Sequence, residues 1–359
     1  MLEQMLFDGS ILLRNMIQKD PSFIVGGLSS IFGYLLNAIY NFVDMFSSTG
    51  ANTLGFAIIL LTIAAKIIML PLNIKSHKSM AAMQRLQPEM EKIKAKYSNS
   101  KDPEIQRKMN MEVSQLYSKN KANPVAGCLP MFIQFPIFMA LYYIMNQPHR
   151  FIDKLGQKYL EIAQHLVAEG SHGYADAMHY LVGPKIPSNF GRNLLMNVPE
   201  DVVIGVGKFT PGDWDYLLAS VSAETASIVE PLLKSVQAIE NFFGIITTEN
   251  TGWSWPSILI PILCVVFTFL TSYLTNKQSA KSTDPSVQMQ QTMMMYGMPI
   301  MMGFITFGMP AGVGLYWVTS NATQIIQQMA FGKIFSKDKL AVNEIVDPKP
   351  AKSNKKNKS

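Results

Sequence analysis

Five stretches of this chain, 53–72, 126–146, 256–275, 293–309 and 311–330, are apolar and long enough to cross a bilayer. In hydrocarbon every backbone N–H and C=O must be bonded internally, so apolar runs of this length read as helices. The predicted fold class is all-α and polytopic. Composition agrees, with 48% of the 359 residues hydrophobic and only 16% charged, too apolar for an ordinary soluble domain. The last two stretches meet at MPAG (309–312), a Pro/Gly turn that folds them into an antiparallel hairpin. Cys128 and Cys264 lie inside apolar runs and imply no disulfide framework. The opening MLEQMLFDGS lacks the basic start expected of a signal peptide.

Charge between the spans sets the expected orientation. Segment 73–125 holds 11 Lys/Arg against 5 Asp/Glu, and 331–359 holds 8 against 3. Segment 147–255 reverses this, with 7 against 12. The positive-inside rule places 73–125, the loop 276–292 and the basic tail 331–359 in the cytoplasm, and 147–255 outside. Residues 1–52 form an N-terminal region in which 21–43 carry no charge. Ser30, Tyr34, Asn37, Asn41 and Asp44 recur at helical spacing opposite Ile24, Leu28, Ile31, Leu35, Ile39 and Phe42. That pattern predicts an interfacial amphipathic helix over about 23–46. A sixth span is the alternative, and it would change only the side on which residues 1–20 lie.

Within 73–125, Met83, Leu86, Met90, Ile93 and Tyr97 follow a 3-4-3-4 spacing. SNSKDP (98–103) breaks the pattern, and Ile105, Met109, Val113 and Leu116 resume it. This predicts a cytoplasmic helical hairpin, either self-packed or offering a mobile basic surface to emerging chains.

ILLTIAAKIIMLPLNIK (59–75) holds Lys66, the only Lys, Arg, Asp or Glu within the five stretches. A charge there is a functional-site candidate, because burying it costs several kcal/mol. Snorkelling to the headgroups is the bland alternative, but Lys75 is nine residues on, about 14 Å along a helix. Thr62 and Asn73 share the helical face of Lys66, and Pro71 removes the donor for the Ile67 carbonyl. Tyr316, Ser320 and Gln324 form a second polar stripe on the last span, and Gln134 sits in the second. With no acidic residue in any span, Lys66 points to a wetted cavity rather than a proton relay.

The run NPVAGCLPMFIQFPIFMALYYIM (123–145) and the hairpin MPAGVGLYWVTSNATQIIQQ (309–328) carry a resemblance. Together with 53–75, they resemble the YidC/Oxa/Alb membrane-protein insertase family, its bacterial YidC members most. The likeness covers roughly 23–146 and 253–335. It implies a five-span core around a hydrophilic groove, open to cytoplasm and lipid, with Lys66 where the family usually has arginine. Lysine supplies a point charge in place of a planar fork. Implied clients are nascent membrane proteins, whose short translocated segments enter the groove while their apolar helices leave into lipid. The implied setting is the bacterial plasma membrane, with the C-terminus cytoplasmic. The chain acts alone, a single copy sufficing, or beside the Sec translocon. No cofactor, metal or catalytic group is implied.

Other features are weighed against that reading. His149, His165, His172 and His179 in the outer segment are expected to be surface residues, since seven-residue spacing is too long to share a metal. GKFTPGDWDY (207–216) reads as a turn-rich loop. The methionine cluster Met293–Met295, Met298, Met301, Met302 and Met309 suits a surface that accepts varied helices, or simple gap filling. The tail KPAKSNKKNKS (349–359) is expected to be disordered and to bind the ribosome or anionic lipid. Two rival classes are a small-molecule or ion transporter using Lys66 as a substrate-binding charge, and an intramembrane hydrolase. The first lacks intramembrane carboxylates and an inverted repeat, and the second lacks a general base within a span.

Overall fold

The computed structural model describes residues 23–47, 50–97, 102–120, 129–169, 172–182, 197–278 and 285–346. Two bodies share one core. The first is a bundle built from α1 (Phe23–Asp44), α2 (Thr53–Ile68), α5 (Leu129–Asn146), α11 (Leu259–Gln278), α13 (Met298–Phe307) and α14 (Ala311–Val346). In it α2 packs against α1 and α14, α5 against α1 and α14, and α11 against α13 and α14. The all-α class expected from the sequence holds, with one addition, a two-stranded antiparallel hairpin of β1 (Asn241–Phe242) and β2 (Ile245–Ile246).

Segment 53–72 is not one straight helix. The chain ends α2 at Ile68 and bends by 55° into α3 (Leu70–Tyr97). Pro71 has no N–H for the Ile67 carbonyl, and the Met69 N–H closes the last turn on Ala65 at 3.0 Å. Segment 293–309 is likewise composite, a π-helical turn at Met293–Gly297 leading into α13, with α12 (Pro285–Thr292) before it. Among the described residues, Leu259–Asn276 alone is a straight helix of spanning length and hydropathy. The bent pair Thr53–Ile68 with Leu70–Ser79 adds a second if counted as one span. Phe132–Asn146 and Met293–Phe307 are shorter. A hydropathy window reads composition and does not see such breaks. At the other extreme, α14 runs unbroken to Val346, past the expected end at 330. The NPVAGC stretch (123–128), the 349–359 tail and residues 1–20 lie outside the described residues.

α1 forms where the amphipathic helix was predicted, but its buried stripe is Ser29, Gly33, Leu36 and Tyr40. Ile31, Leu35 and Phe42 are exposed, and so is Tyr34. The polar stripe does not simply face water. Asn37 accepts from the Asp153 backbone N–H (3.1 Å) and donates to its carboxylate (2.7 Å). Asp44 pairs with Lys154 at 2.7 Å. Ser30 donates to the Gly26 carbonyl at 2.9 Å, so protein groups take three of its five polar positions.

α3 packs against α4 (Pro103–Lys119). Asp102 caps α4 by accepting from the Glu104 N–H at 2.9 Å, with Pro103 at the first helical position. Glu112 ties the pair together, receiving Lys96 (2.8 Å) and Tyr97 (2.7 Å).

The second body, between α5 and α11, is a helical subdomain: α6 (Asp153–Glu169), α7 (His172–Val182), α8 (Pro199–Val206), α9 (Pro211–Ser220) and α10 (Ala223–Glu240). Leu155, Ile162, Val203, Leu217 and Val236 of this body belong to the same hydrophobic core as Leu36, Leu61 and Leu141 of the bundle. Two expectations are corrected here. GKFTPGDWDY is a turn only over 207–210; Thr210 and Asp213 form a capping box that starts α9, and Trp214 is buried in the core. His149 is not a surface residue; it is fully enclosed, its ring edge-on to Tyr159 at 5.7 Å and pressed against Gly207. His179 is exposed and His165 half-buried.

The hairpin turn at MPAG is fixed by backbone contact. The Gly312 N–H donates to the Thr247 carbonyl at 2.7 Å, and a Cβ there would lie 2.7 Å from Met145 Sδ. Gly312→Ala is predicted to cost about 1–3 kcal/mol through overpacking, read as a lower melting temperature in detergent.

Candidate functional site

Helical spacing puts Thr62 and Lys66 on one face of α2, and the bend after Ile68 brings Asn73 beside the same neighbours. Lys66 is only 6% exposed, although it lies one turn from a helix end. Its Nζ donates to Gln134 Oε1 of α5 at 3.2 Å. Gln134 in turn donates through Nε2 to the Tyr316 hydroxyl of α14. Three helices are thereby joined by a single run of hydrogen bonds that starts at a positive charge.

About two turns further along, Asn73 Nδ2 donates to Gln327 Oε1 at 3.2 Å. Gln327 Nε2 reaches the Lys66 carbonyl at 3.4 Å. The break in the helix thus frees backbone acceptors near the charge, and α14 supplies a side chain to meet one of them.

The expected residues divide as follows. Lys66, Gln134 and Tyr316 are brought together. Asn73 joins through Gln327, which the sequence reading passed over. Thr62 is buried on the same face but donates to its own helix, to the Ile58 carbonyl at 2.6 Å. Ser320 is buried one turn below Tyr316, and Gln324 is half-buried. The missed Gln327 had a signal, since it extends the stripe 316, 320, 324 by another three residues.

A second polar seam was also missed. On the α11 side of α14, Trp317 Nε1 donates to Thr268 at 3.0 Å, and Gln328 Nε2 to Thr275 at 3.0 Å. Asn321 Nδ2 bonds the Trp317 carbonyl at 2.9 Å. This seam is neutral, with threonines facing α14 as helix-to-helix partners. α14 therefore has two polar edges, one stitched to α11 and one facing the lysine. No acidic residue lies in 53–72, 126–146 or 311–330, so the Lys66 seam offers a cation and hydrogen-bonding groups without a neutralising carboxylate.

A helical bundle with exposed apolar side chains and a buried lysine held by polar partners defines a class: an all-α membrane protein. Comparison narrows it. The pattern of the 60Kd inner membrane protein family matches residues 45–187 and 214–338, and the chain belongs to that family. It is 28% identical over 283 residues to "Membrane protein insertase YidC" of Oceanobacillus iheyensis, covering 78% of this chain and 74% of that protein. It is 30% identical over 293 residues to "Membrane protein insertase YidC 1" of Lactococcus lactis, covering 81% and 73%. It is 27% identical over 307 residues to "Membrane protein insertase YidC" of Fusobacterium nucleatum, covering 86% and 96%. The family match skips 188–213.

Proposed function

We propose that this protein is a membrane-protein insertase of the bacterial inner membrane. The observation that carries the reading is the Lys66–Gln134–Tyr316 chain, a positive charge held inside the bundle by neutral partners. The relatives' shared name, membrane protein insertase, supports it. A buried cation without a counter-ion is stable only if water reaches it, so the seam is the wall of a wet groove lined by Thr62, Lys66, Asn73, Gln134, Tyr316, Ser320 and Gln324, with Gln327 added. Such a groove shortens the low-dielectric path for a translocated segment and draws its acidic residues by charge. No covalent bond changes.

In this reading α2, α5, α11, α13 and α14 are the five crossings, with the composite ones completed by the bends and turns that flank them. α1 lies at the interface, α3–α4 is the cytoplasmic hairpin, α6–α10 stands outside, and the basic C-terminal tail is cytoplasmic. Nascent membrane proteins are the clients, taken alone or beside the Sec translocon, with the tail meeting ribosomes or anionic lipid.

The test is reconstitution of the purified chain in liposomes free of Sec components. A small single-span substrate should become protease-protected faster than in protein-free liposomes. Equal rates would sink the reading.

A further inference from the structure

At one end of the bundle, where α2, α11 and α14 begin and α13 ends, residues 241–258 run across the helix ends as a strap. The Asn52 N–H donates to the Asn241 carbonyl at 3.1 Å, and Asn52 Oδ1 accepts from the Phe243 N–H at 2.7 Å. The Ala311 N–H donates to the Glu249 carbonyl at 2.8 Å, and the Thr251 N–H to that of Met309 at 3.2 Å. The strap's backbone is therefore fixed at the level of the helix ends.

Its largest apolar side chains nevertheless turn outward. Phe243 is 68% exposed, Trp253 81% and Trp255 77%. Two of them are held in place, since Trp253 lies edge-on to Phe307 at 4.7 Å and Phe243 edge-on to Phe56 at 6.1 Å. Ordering exposed indoles against water gains nothing unless something covers them. The row continues directly into the outward apolar face of α11, where Ile262, Val266 and Phe269 are also exposed. That helix has spanning length, so its uncovered apolar face meets hydrocarbon. Tryptophan, with an apolar body and one N–H, is the side chain that settles where hydrocarbon gives way to headgroups.

We infer that Phe243, Trp253 and Trp255 are seated in the headgroup–acyl boundary of the bilayer, an aromatic footing that sets the depth of the strap and of the α6–α10 subdomain joined to it. The partner is a lipid surface. The inference needs only that α11 crosses the membrane, so it stands or falls independently of the insertase reading.

The test uses the full chain in vesicles of phosphatidylcholine with no other protein. Four tryptophans emit, Trp214, Trp253, Trp255 and Trp317, so the wild-type protein is compared with Trp253→Phe/Trp255→Phe, and the difference reports the two strap indoles. Both are exposed, and phenylalanine keeps their bulk. Lipids brominated near the glycerol end should quench the difference signal strongly, lipids brominated near the terminal methyl should quench it less, and aqueous iodide should leave it largely intact. Quenching by iodide with no response to bromine would overturn the inference, placing these residues in water or against a protein partner. Stronger quenching by the deep bromines would overturn it too, by placing them in the hydrocarbon.

Discussion

Lys66→Met should slow insertion of a single-span substrate that has acidic residues in its translocated segment by about five- to thirtyfold, while Lys66→Arg should insert near the wild-type rate. The magnitude follows from Coulomb's law. A passing carboxylate ~8 Å from the ammonium, at an effective dielectric of roughly 20–40, gains about 1–2 kcal/mol. Methionine has similar length and apolar packing, so the seam loses its charge with little change of shape. Gln134 would then lose the Lys66 donor but keep its bond to Tyr316. The control is a substrate with a neutral translocated segment, which should lose much less. Equal slowing of both substrates would show that Lys66 supports the seam's structure and not the passage of charge, and normal insertion of both would show that a wet seam suffices.

The second large effect concerns pH and the α6–α10 subdomain. Glu240, at the end of α10, is fully buried with its carboxyl accepting from the Tyr159 hydroxyl at 3.3 Å. Burial pushes its pKa up to about 8, with Glu249 nearby adding to the rise. His149, enclosed on the other side of Tyr159, is driven the opposite way, to about 3, by burial and by Arg150 and Lys208. For Glu240 the folded state holds its proton longer than the unfolded one. Its contribution to stability is therefore complete below the ordinary carboxylate range near 4.5 and is lost as pH rises toward 8. For His149 the folded state refuses the proton, so its contribution is complete above 6.5 and is lost as pH falls toward 3.

Between about 4.5 and 6.5 the two slopes oppose each other and cancel. The outcome is a plateau of stability that falls on both sides, each limb sloping by about 1.4 kcal/mol per pH unit for one proton. Lys208, lowered by burial to about 8, loses its proton where the alkaline limb ends and slopes the other way above it. Glu240→Gln should flatten the fall between pH 6.5 and 8 and extend the acid limb through 4.5–6.5, where the His149 slope is no longer opposed. Thermal unfolding in detergent across that range checks it, and identical alkaline limbs in variant and wild type would refute the assignment.

The class of fold was legible because apolar length and charge asymmetry are compositional, and the sequence states them outright. The Lys66 seam was legible in part. Gln134 and Tyr316 stand out as polar groups in apolar runs, and α14's stripe has a helical period. Gln327 and the Trp317–Thr268 contact were not found, because polar residues on two adjacent faces of α14 look like one broad polar side until α11 is placed against it. The bend after Ile68 was visible only as Pro71. The proline announces a lost hydrogen bond, but neither the direction nor the size of the turn. His149 was misjudged for a different reason. A histidine in a polar segment is usually exposed, and its enclosure depends on Gly207, 58 residues away, leaving room for the ring. Likewise the α1 stripe says nothing of the partners of Asn37 and Asp44, which come from α6, more than 100 residues downstream.

That attachment of α1 has a practical corollary. A Cβ on Gly33 would sit 2.2 Å from the Phe151 ring, and Phe151 and Ile152 share their core with Leu36 and Tyr40. Helices α6–α10 and the bundle share that core and should melt as one cooperative unit instead of as beads on a string. Residues 147–255 cannot be excised or exchanged like a cassette. A graft that shortens this segment must also rebuild the inner face of α1, or it leaves a greasy wound where Phe151 had been.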